Sequence, residues 1–318
     1  MGLRAGFVTS ALIVLTACST APVTPLPGPP PPTPAPVSAT TPPAAPRSAP
    51  KLALVLGGGG TRGFAHVGVL KVLDAQGIRP DLIVGTSAGS AVGALYAYGM
   101  TGLQLQEIAL PLQRETMLTW ILPNMGFASG LPMQRFVNAQ IQQTPIEKLA
   151  TPFAAVATDL STGLPVVFQR GNTGQAVRAS CAVPGLFQPV RVGNRSFVDG
   201  GLVLPVPVSV AKDLGATFVI AVDISNKPQQ NATDTVTKIM LQTFDIMSEA
   251  INRYELKGAD VLIQPATKEI NQTDLNDKDL AIIEGEKAAT QALPELRIKL
   301  KAAGIAARAR TAATAKQP

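Results

Sequence analysis

Residues Gly85-Thr86-Ser87-Ala88-Gly89 read G-x-S-x-G, and their flanks leave this pentapeptide few backbone choices. The stretch 81–85, Asp-Leu-Ile-Val-Gly, is a short apolar run of buried-strand character. Residues 88–98 are rich in Ala, Leu and Val and read as a helix that tolerates its glycines. A serine held between a strand and a helix, with glycine on both sides, marks a sharp turn that lifts the hydroxyl into reach of a substrate. Strand running directly into helix also selects a layered α/β architecture over all-α or all-β alternatives.

A serine hydroxyl does not ionise unaided at neutral pH, so a nucleophilic serine needs a base. In α/β-hydrolases the base is a histidine that follows the serine in the chain. This sequence holds one histidine, His66, and it precedes Ser87. Either the pentapeptide is accidental or the base is another residue type.

The remaining pattern is that of one domain over residues 51–303. Residues 51–56 form an apolar strand, and 64–75 a helix with Val67, Leu70 and Leu73 on one face and Gly77 after its end. Further strands are expected at 154–157, 165–168, 197–198, 218–222 and 261–263, and long helices at 234–257 and 280–302. The alternation predicts a mainly parallel sheet covered by helices. Residues 101–127 carry Trp120 among Met, Leu, Ile and Phe, interrupted by Pro111, Pro123 and Gly126. They read as a packed helix or as an apolar flap beside a site.

The loop 57–63, Gly-Gly-Gly-Gly-Thr-Arg-Gly, lies between the first strand and the first helix. It lacks the Gly-Lys-Ser/Thr of a phosphate-binding P-loop. Gly58, Gly60 and Gly63 satisfy G-x-G-x-x-G, with Asp81 at a suitable distance, so a dinucleotide site stays open. An oxyanion hole is the other reading: glycines let successive N–H groups face one space, and Arg62 can brace the loop or add positive charge. Loop and serine both follow strands, which puts them at the same sheet edge. Asp199-Gly200-Gly201 follows a short strand and is either a turn or the missing base, a carboxylate presented at a sheet end.

The termini are of a different kind. Arg4, the apolar run 7–15 and Leu15-Thr16-Ala17-Cys18 resemble a bacterial lipoprotein signal over residues 1–17, with Cys18 the acylated first mature residue. Ser19 rather than Asp after it favours the outer membrane. Residues 18–50 are dense in Pro, Ala, Ser and Thr and suit an extended tether. The net charge of +6 belongs to the ends: Arg4 and six basic residues from 297 onward leave 20 basic against 21 acidic residues between Cys18 and Glu295. The body therefore gives no case for nucleic-acid binding. Residues 304–318 read as a basic disordered tail. With Cys18 acylated, Cys181 has no disulfide partner and is expected to be a buried, inert thiol.

Taken together, the glycine loop with Thr-Arg-Gly, Gly-Thr-Ser-Ala-Gly and Asp-Gly-Gly resemble the patatin-like phospholipases, in that order and spacing. Further matches lie at 64–70, 157–160, 178–180, 183–185 and 218–223. The resemblance implies a three-layer α/β fold and a Ser–Asp dyad, with Ser87 as nucleophile and Asp199 as base. It implies an oxyanion hole from backbone N–H groups among Gly58, Gly59 and Gly60, with Arg62 nearby, and leaves His66 to packing. Asp159 and Arg178 also match and are expected to be structural. Family members often carry Asn-Pro where Leu204-Pro205 stands here, which predicts a less fixed loop around Asp199. The activity implied is hydrolysis of phospholipid or lysophospholipid esters, with no metal or organic cofactor and with a membrane as the surface contacted through Cys18. A silent lipid-binding lipoprotein and a dinucleotide-binding oxidoreductase are the competing readings.

Overall fold

The computed structural model describes residues 52–112, 128–225, 235–270 and 275–306, with Gly2 and Pro228 besides. The signal, Cys18, most of the tether and tail, and residues 113–127 with Trp120 lie outside the described residues.

Among the described residues, eight strands form one sheet: β1 (Leu52–Leu56), β2 (Leu82–Thr86), β3 (Phe153–Asp159), β4 (Pro165–Phe168), β5 (Val190–Val192), β6 (Arg195–Asp199), β7 (Phe218–Val222) and β8 (Val261–Ile263). The helices are α1 (Phe64–Ala75), α2 (Ala88–Tyr98), α3 (Gly102–Ala109), α4 (Leu131–Gln140), α5 (Thr173–Ser180), α6 (Val208–Asp213), α7 (Val236–Glu255) and α8 (Lys278–Ala302). The sheet order is β5-β6-β3-β2-β1-β7-β8, with β4 paired to β3. Strands β3, β2, β1, β7 and β8 run parallel, and β4, β5 and β6 are antiparallel additions at one end. The mainly parallel sheet is thus observed, as are the strands predicted at 165–168, 218–222 and 261–263 and the helix at 64–75.

The three layers follow from β1. All five of its residues are buried, so it faces helices on both sides, as a central parallel strand must. Leu52, Leu54 and Leu56 join a large core with α1, α2 and α8. Ala53 and Val55 point the other way, into a smaller core with Val206, Val208 and Ala211 around α6. Among the described residues no helix is long and apolar enough to cross a membrane.

The short helices α3 to α6 were not predicted one by one. Two of them nonetheless have starts marked by a side-chain cap. Thr101 and Gln104 form a reciprocal capping box on α3, and the Asn172 side chain accepts the Gln175 N–H at the start of α5. Helix α3 occupies the first part of the 101–127 stretch.

Candidate active site

Register brings the site together. Leu56 of β1 pairs with Gly85 of β2, so the glycine loop leaves the sheet beside the serine turn. Thr86 pairs with Val156 of β3, and Ala157 of β3 pairs with Asp199 at the end of β6. One strand therefore separates Ser87 from Asp199, although 112 residues separate them in sequence.

Ser87 has φ 52° and ψ −123°, a strained conformation for a residue with a side chain. It is the N-cap of α2, so the turn is the strand–elbow–helix that the pentapeptide predicts. Its glycine flanks are needed for space. A Cβ on Gly89 would lie 2.1 Å from the Leu56 carbonyl oxygen, and one on Gly85 2.5 Å from that of Gly89. The Ser87 N–H donates to Ser180 Oγ at 2.8 Å, and that hydroxyl donates to the Val156 carbonyl at 2.5 Å. The Ser90 hydroxyl donates to the Ser87 carbonyl at 2.7 Å. The elbow is thus pinned from α5 and α2.

Ser87 Oγ donates to Asp199 Oδ2 at 2.7 Å. The other carboxylate oxygen accepts the Gly201 N–H at 2.7 Å, and the Asp199 carbonyl accepts the Thr158 hydroxyl at 2.8 Å. Both side chains are buried. Burial pushes the Asp199 carboxyl from its ordinary 3.8 up to about 6, against the bonds from Gly201 and Ser87, which lower it. A carboxylate with that affinity for a proton, touching the serine hydroxyl, has the geometry and basicity of a general base near neutral pH.

His66 lies in α1, fully buried, with Nε2 2.8 Å from the Gly57 carbonyl oxygen, so Nε2 carries the proton and donates it. Burial lowers its pKa to about 4. It braces the glycine loop as a neutral ring. Cys181 is buried 3.8 Å from Ser90 Oγ, and burial together with the Asp199 charge pushes its thiol up to about 12. Such a thiol has no thiolate to offer near neutral pH.

The glycine loop is more divided than the sequence suggests. The Gly58 N–H donates to the Pro205 carbonyl at 2.9 Å, so it is not free for an oxyanion in this state. Gly58 contributes closeness instead: a Cβ there would sit 3.2 Å from Ser87 Cβ. Gly59 and Gly60 open onto a recess that Ser87 and Asp199 also line. Arg62 is buried; its Nε donates to the Gly59 carbonyl at 3.0 Å and its Nη2 lies 3.4 Å from Asp245 Oδ1 of α7. Of the two roles expected for it, bracing is the one visible.

Leu204-Pro205 does not leave the loop loose. The Leu204 carbonyl accepts the Thr86 hydroxyl at 2.8 Å, its N–H donates to the Gly200 carbonyl at 2.9 Å, and the Pro205 carbonyl holds Gly58. The segment ties the aspartate turn to the elbow and to the glycine loop through main-chain groups, which any side chain at 204 permits. Asp159 accepts from Arg195 Nε at 2.7 Å and caps the turn at Ser161 and Thr162; Arg178 Nε donates to the Ser129 carbonyl at 2.7 Å. Both are structural. Asp81 accepts the Leu52 N–H, which places it where β1 starts, at the sheet edge opposite the glycine loop. A ribose-binding acid would have to stand at the loop's edge, so the dinucleotide reading fails here.

Ser87 stands between two spaces. One is a cavity of about 240 Å³ walled by apolar side chains, among them Phe64 and Val67 of α1, Leu95 of α2, Ile108 of α3, Phe136 of α4 and Leu241 of α7. The other is the smaller recess, with Arg62, Asp199, Ser225, Asp245 and Ser248 on its wall. Asp245, Ser248 and Leu241 all come from α7, whose part in the site no sequence motif announces. Ser180 lay in a matched triplet, but its bond to the elbow is visible only in three dimensions. Among the described residues no group of three His, Cys, Asp or Glu side chains is placed to hold a metal ion.

The patatin-like phospholipase family model matches residues 54–212, half of the chain, and spans the glycine loop, the elbow and Asp199. The chain is 37% identical over 196 residues to an NTE family protein of Mycobacterium tuberculosis, covering 60% of this chain and 54% of that protein. It is 34% identical over 194 residues to the patatin-like phospholipase domain-containing protein 6 of Mus musculus, covering 58% of this chain and 14% of that one. The chain thus spans about half or less of the length of these relatives. Among solved structures, VipD from Legionella pneumophila aligns with a TM-score of 0.53 at 15% identity, over 78% of this chain and 67% of that one, a likeness of fold. The matched segment carries both residues of the hydrogen-bonded Ser87–Asp199 pair, and the chain belongs to the patatin-like phospholipase family.

Proposed function

We propose that the chain is a serine acyl hydrolase of lipid esters, acting on phospholipids or lysophospholipids through Ser87 and Asp199. The observation that carries this reading is the 2.7 Å hydrogen bond from Ser87 Oγ to Asp199 Oδ2 beside an apolar cavity. The family membership supports the substrate class.

In this mechanism the acyl chain lies in the apolar cavity and the ester carbonyl reaches Ser87. Oγ bonds to the carbonyl carbon while its proton passes to Asp199 Oδ2. The oxygen gains negative charge and meets the N–H groups of Gly59 and Gly60, joined by Ala88, whose N–H in the first turn of α2 has no intrahelical acceptor. Collapse breaks the bond to the leaving alkoxide, which takes the proton from Asp199 and departs as an alcohol or lysolipid. Water then gives a proton to Asp199 and its oxygen to the acyl carbon. The Ser87 oxygen leaves, recovers the proton, and a fatty acid is released. No step needs a metal or organic cofactor.

The reading includes residues 1–17 as a lipoprotein signal, acylated Cys18 as an anchor in the outer membrane, residues 18–50 as a tether and 51–303 as the hydrolase domain in the periplasm. The test is lipid-product profiling of purified wild type against Ser87→Ala and Asp199→Asn. Release of fatty acid by wild type, lost in both variants, is the expected result and would also show the headgroup and acyl position attacked. Equal turnover in all three proteins would refute the dyad. No turnover in any, with lipid retained, would make the protein a silent lipid carrier.

A further inference from the structure

Helix α7 carries apolar side chains on its outward face as well as on its inward one, where Leu241 and Phe244 line the site. Its inward face brings Asp245 and Ser248 to the recess beside Ser87, with Asn252 buried one turn further on. Its outward face carries Val236, Ile239, Thr243, Ile246, Ala250 and Tyr254, all exposed. At 3.6 residues per turn these six fall on one strip within about 80° of arc and about 27 Å long. The exposures are large: 83% for Val236, 51% for Ile239, 52% for Ile246 and 75% for Tyr254. Thr243 adds to the apolar character, because its hydroxyl donates to the Ile239 carbonyl at 2.9 Å. No charged residue stands in the strip. A solvent-facing strip is ordinarily where a helix places its charges; single exposed aliphatics are common, but a continuous strip marks an interaction surface.

We propose that this strip docks the domain onto a lipid surface, with α7 lying along the interface. The proposal draws its purpose from the hydrolase reading. Two observations favour lipid over a second protein. First, the opposite face of the same helix walls the site: Leu241 lines both the apolar cavity and the recess. Docking by the outer strip would bring the cavity within about 10 Å, one helix diameter, of the acyl layer. An acyl chain could then enter without crossing bulk water. Second, the edge of the strip is cationic. Lys238 and Lys257 are exposed, with Lys257 Nζ 5.2 Å from the Tyr254 ring centre, while Arg253 is ion-paired with Glu249 and the two charges cancel. The other acids of α7, Asp245 and Glu255, are turned to Arg62 and to the Ser209 N–H. An apolar strip edged by lysines fits an interface with anionic headgroups, whereas pairing two copies strip to strip would bring the cations of both together.

The test uses the full-length chain carrying Cys18→Ser, so that no acyl group at residue 18 contributes. Binding to vesicles of mixed phosphatidylcholine and phosphatidylglycerol is measured by co-sedimentation for this parent and for Ile239→Glu and Ile246→Glu. Each substitution is expected to weaken vesicle binding roughly tenfold or more, the factor for removing one aliphatic side chain from an apolar surface. Turnover of a short, water-soluble nitrophenyl ester is expected to stay unchanged, which also shows that the variants are folded, while turnover of vesicle lipid falls with binding. Unchanged vesicle affinity in both variants would overturn the proposal. So would a dimeric parent that the substitutions convert to monomer without loss of vesicle affinity. If the parent hydrolyses neither ester while its vesicle binding still depends on Ile239 and Ile246, docking stands and the hydrolase reading fails.

Discussion

Asp199→Asn should abolish hydrolysis and stabilise the protein at the same time, and the pH dependence of that gain identifies its cause. In the folded chain the carboxyl titrates near 6 against an ordinary 3.8. A raised carboxyl favours the fold only while it is protonated. The contribution is complete below about pH 4, falls as pH rises through the interval from 3.8 to 6, and is lost above it. About two pKa units at 1.36 kcal/mol each make the ionised side chain a burden of about 3 kcal/mol at pH 8. Asparagine has the same shape and no charge. Its Oδ1 can accept the Gly201 N–H as the aspartate does, and its amide can donate to Ser87 Oγ, so both contacts survive with one reversed in polarity. For a domain of this size about 3 kcal/mol corresponds to a rise in Tm of roughly 6–12 °C. The assay is thermal or urea unfolding of both proteins from pH 4 to pH 8, beside ester turnover. The two stabilities should nearly coincide at pH 4, separate up to about pH 6 and stay a constant distance apart above pH 7. An Asn variant no more stable at pH 8, or a gap independent of pH, would refute the claim that Asp199 is a strained buried base.

The same titration sets the activity profile: kcat/KM should rise tenfold per pH unit below about 6 and level off above it, since only ionised Asp199 can take the Ser87 proton. A profile flat to pH 4 would remove Asp199 from that role. Ser87→Gly and Ser87→Ala both lose the hydroxyl bonded to Asp199 and should be inactive, but the glycine variant should be the more stable of the two by about 1 kcal/mol, because glycine adopts φ 52° without a Cβ penalty; a urea midpoint at or below that of Ser87→Ala would contradict the strain assigned to the elbow. His66 acts oppositely to Asp199: its depressed pKa gives stability that is complete above 6.5 and lost as pH falls through 4, so His66→Gln should flatten the acid limb of the unfolding profile while hydrolysis persists. Loss of hydrolysis in a folded His66→Gln would reopen the case for a histidine base. Arg62→Lys keeps the charge but has one nitrogen where Arg62 uses two, Nε for the Gly59 carbonyl and Nη2 for Asp245, and should lower kcat by roughly tenfold with little change in KM; a change confined to KM would instead make Arg62 a substrate-binding group.

What could be read from the sequence divides along a physical line. Helix α1 and strands β4, β7 and β8 came out at their true bounds because their apolar runs and punctuating residues are local. Ser87 and Asp199 were legible because each needs a side chain of one type in a turn that only glycine permits, and both demands leave letters in the chain. Helix α7 was expected as a helix, but its role was not, since Asp245 reaches Arg62 across 183 residues with no motif around it. Helices α1 and α8 meet so closely that a Cβ on Gly68 would lie 2.0 Å from the Ile282 carbonyl oxygen, and one on Gly285 2.0 Å from that of Ala65. Either glycine alone reads as a weak point in a helix, and only the pair explains both. The sharpest case is Leu204-Pro205. Reading side chains, the missing asparagine amide suggested a loose loop. The ties that exist run from the Thr86 hydroxyl and the Gly58 N–H to the carbonyls of 204 and 205, groups that every residue possesses. A bond made by the main chain depends on where the chain passes and not on which side chain it carries. For that reason the donor set of the oxyanion hole we propose, which is main chain throughout, is the part of the site that sequence reads least well, and the engagement of Gly58 with Pro205 is where that limit shows.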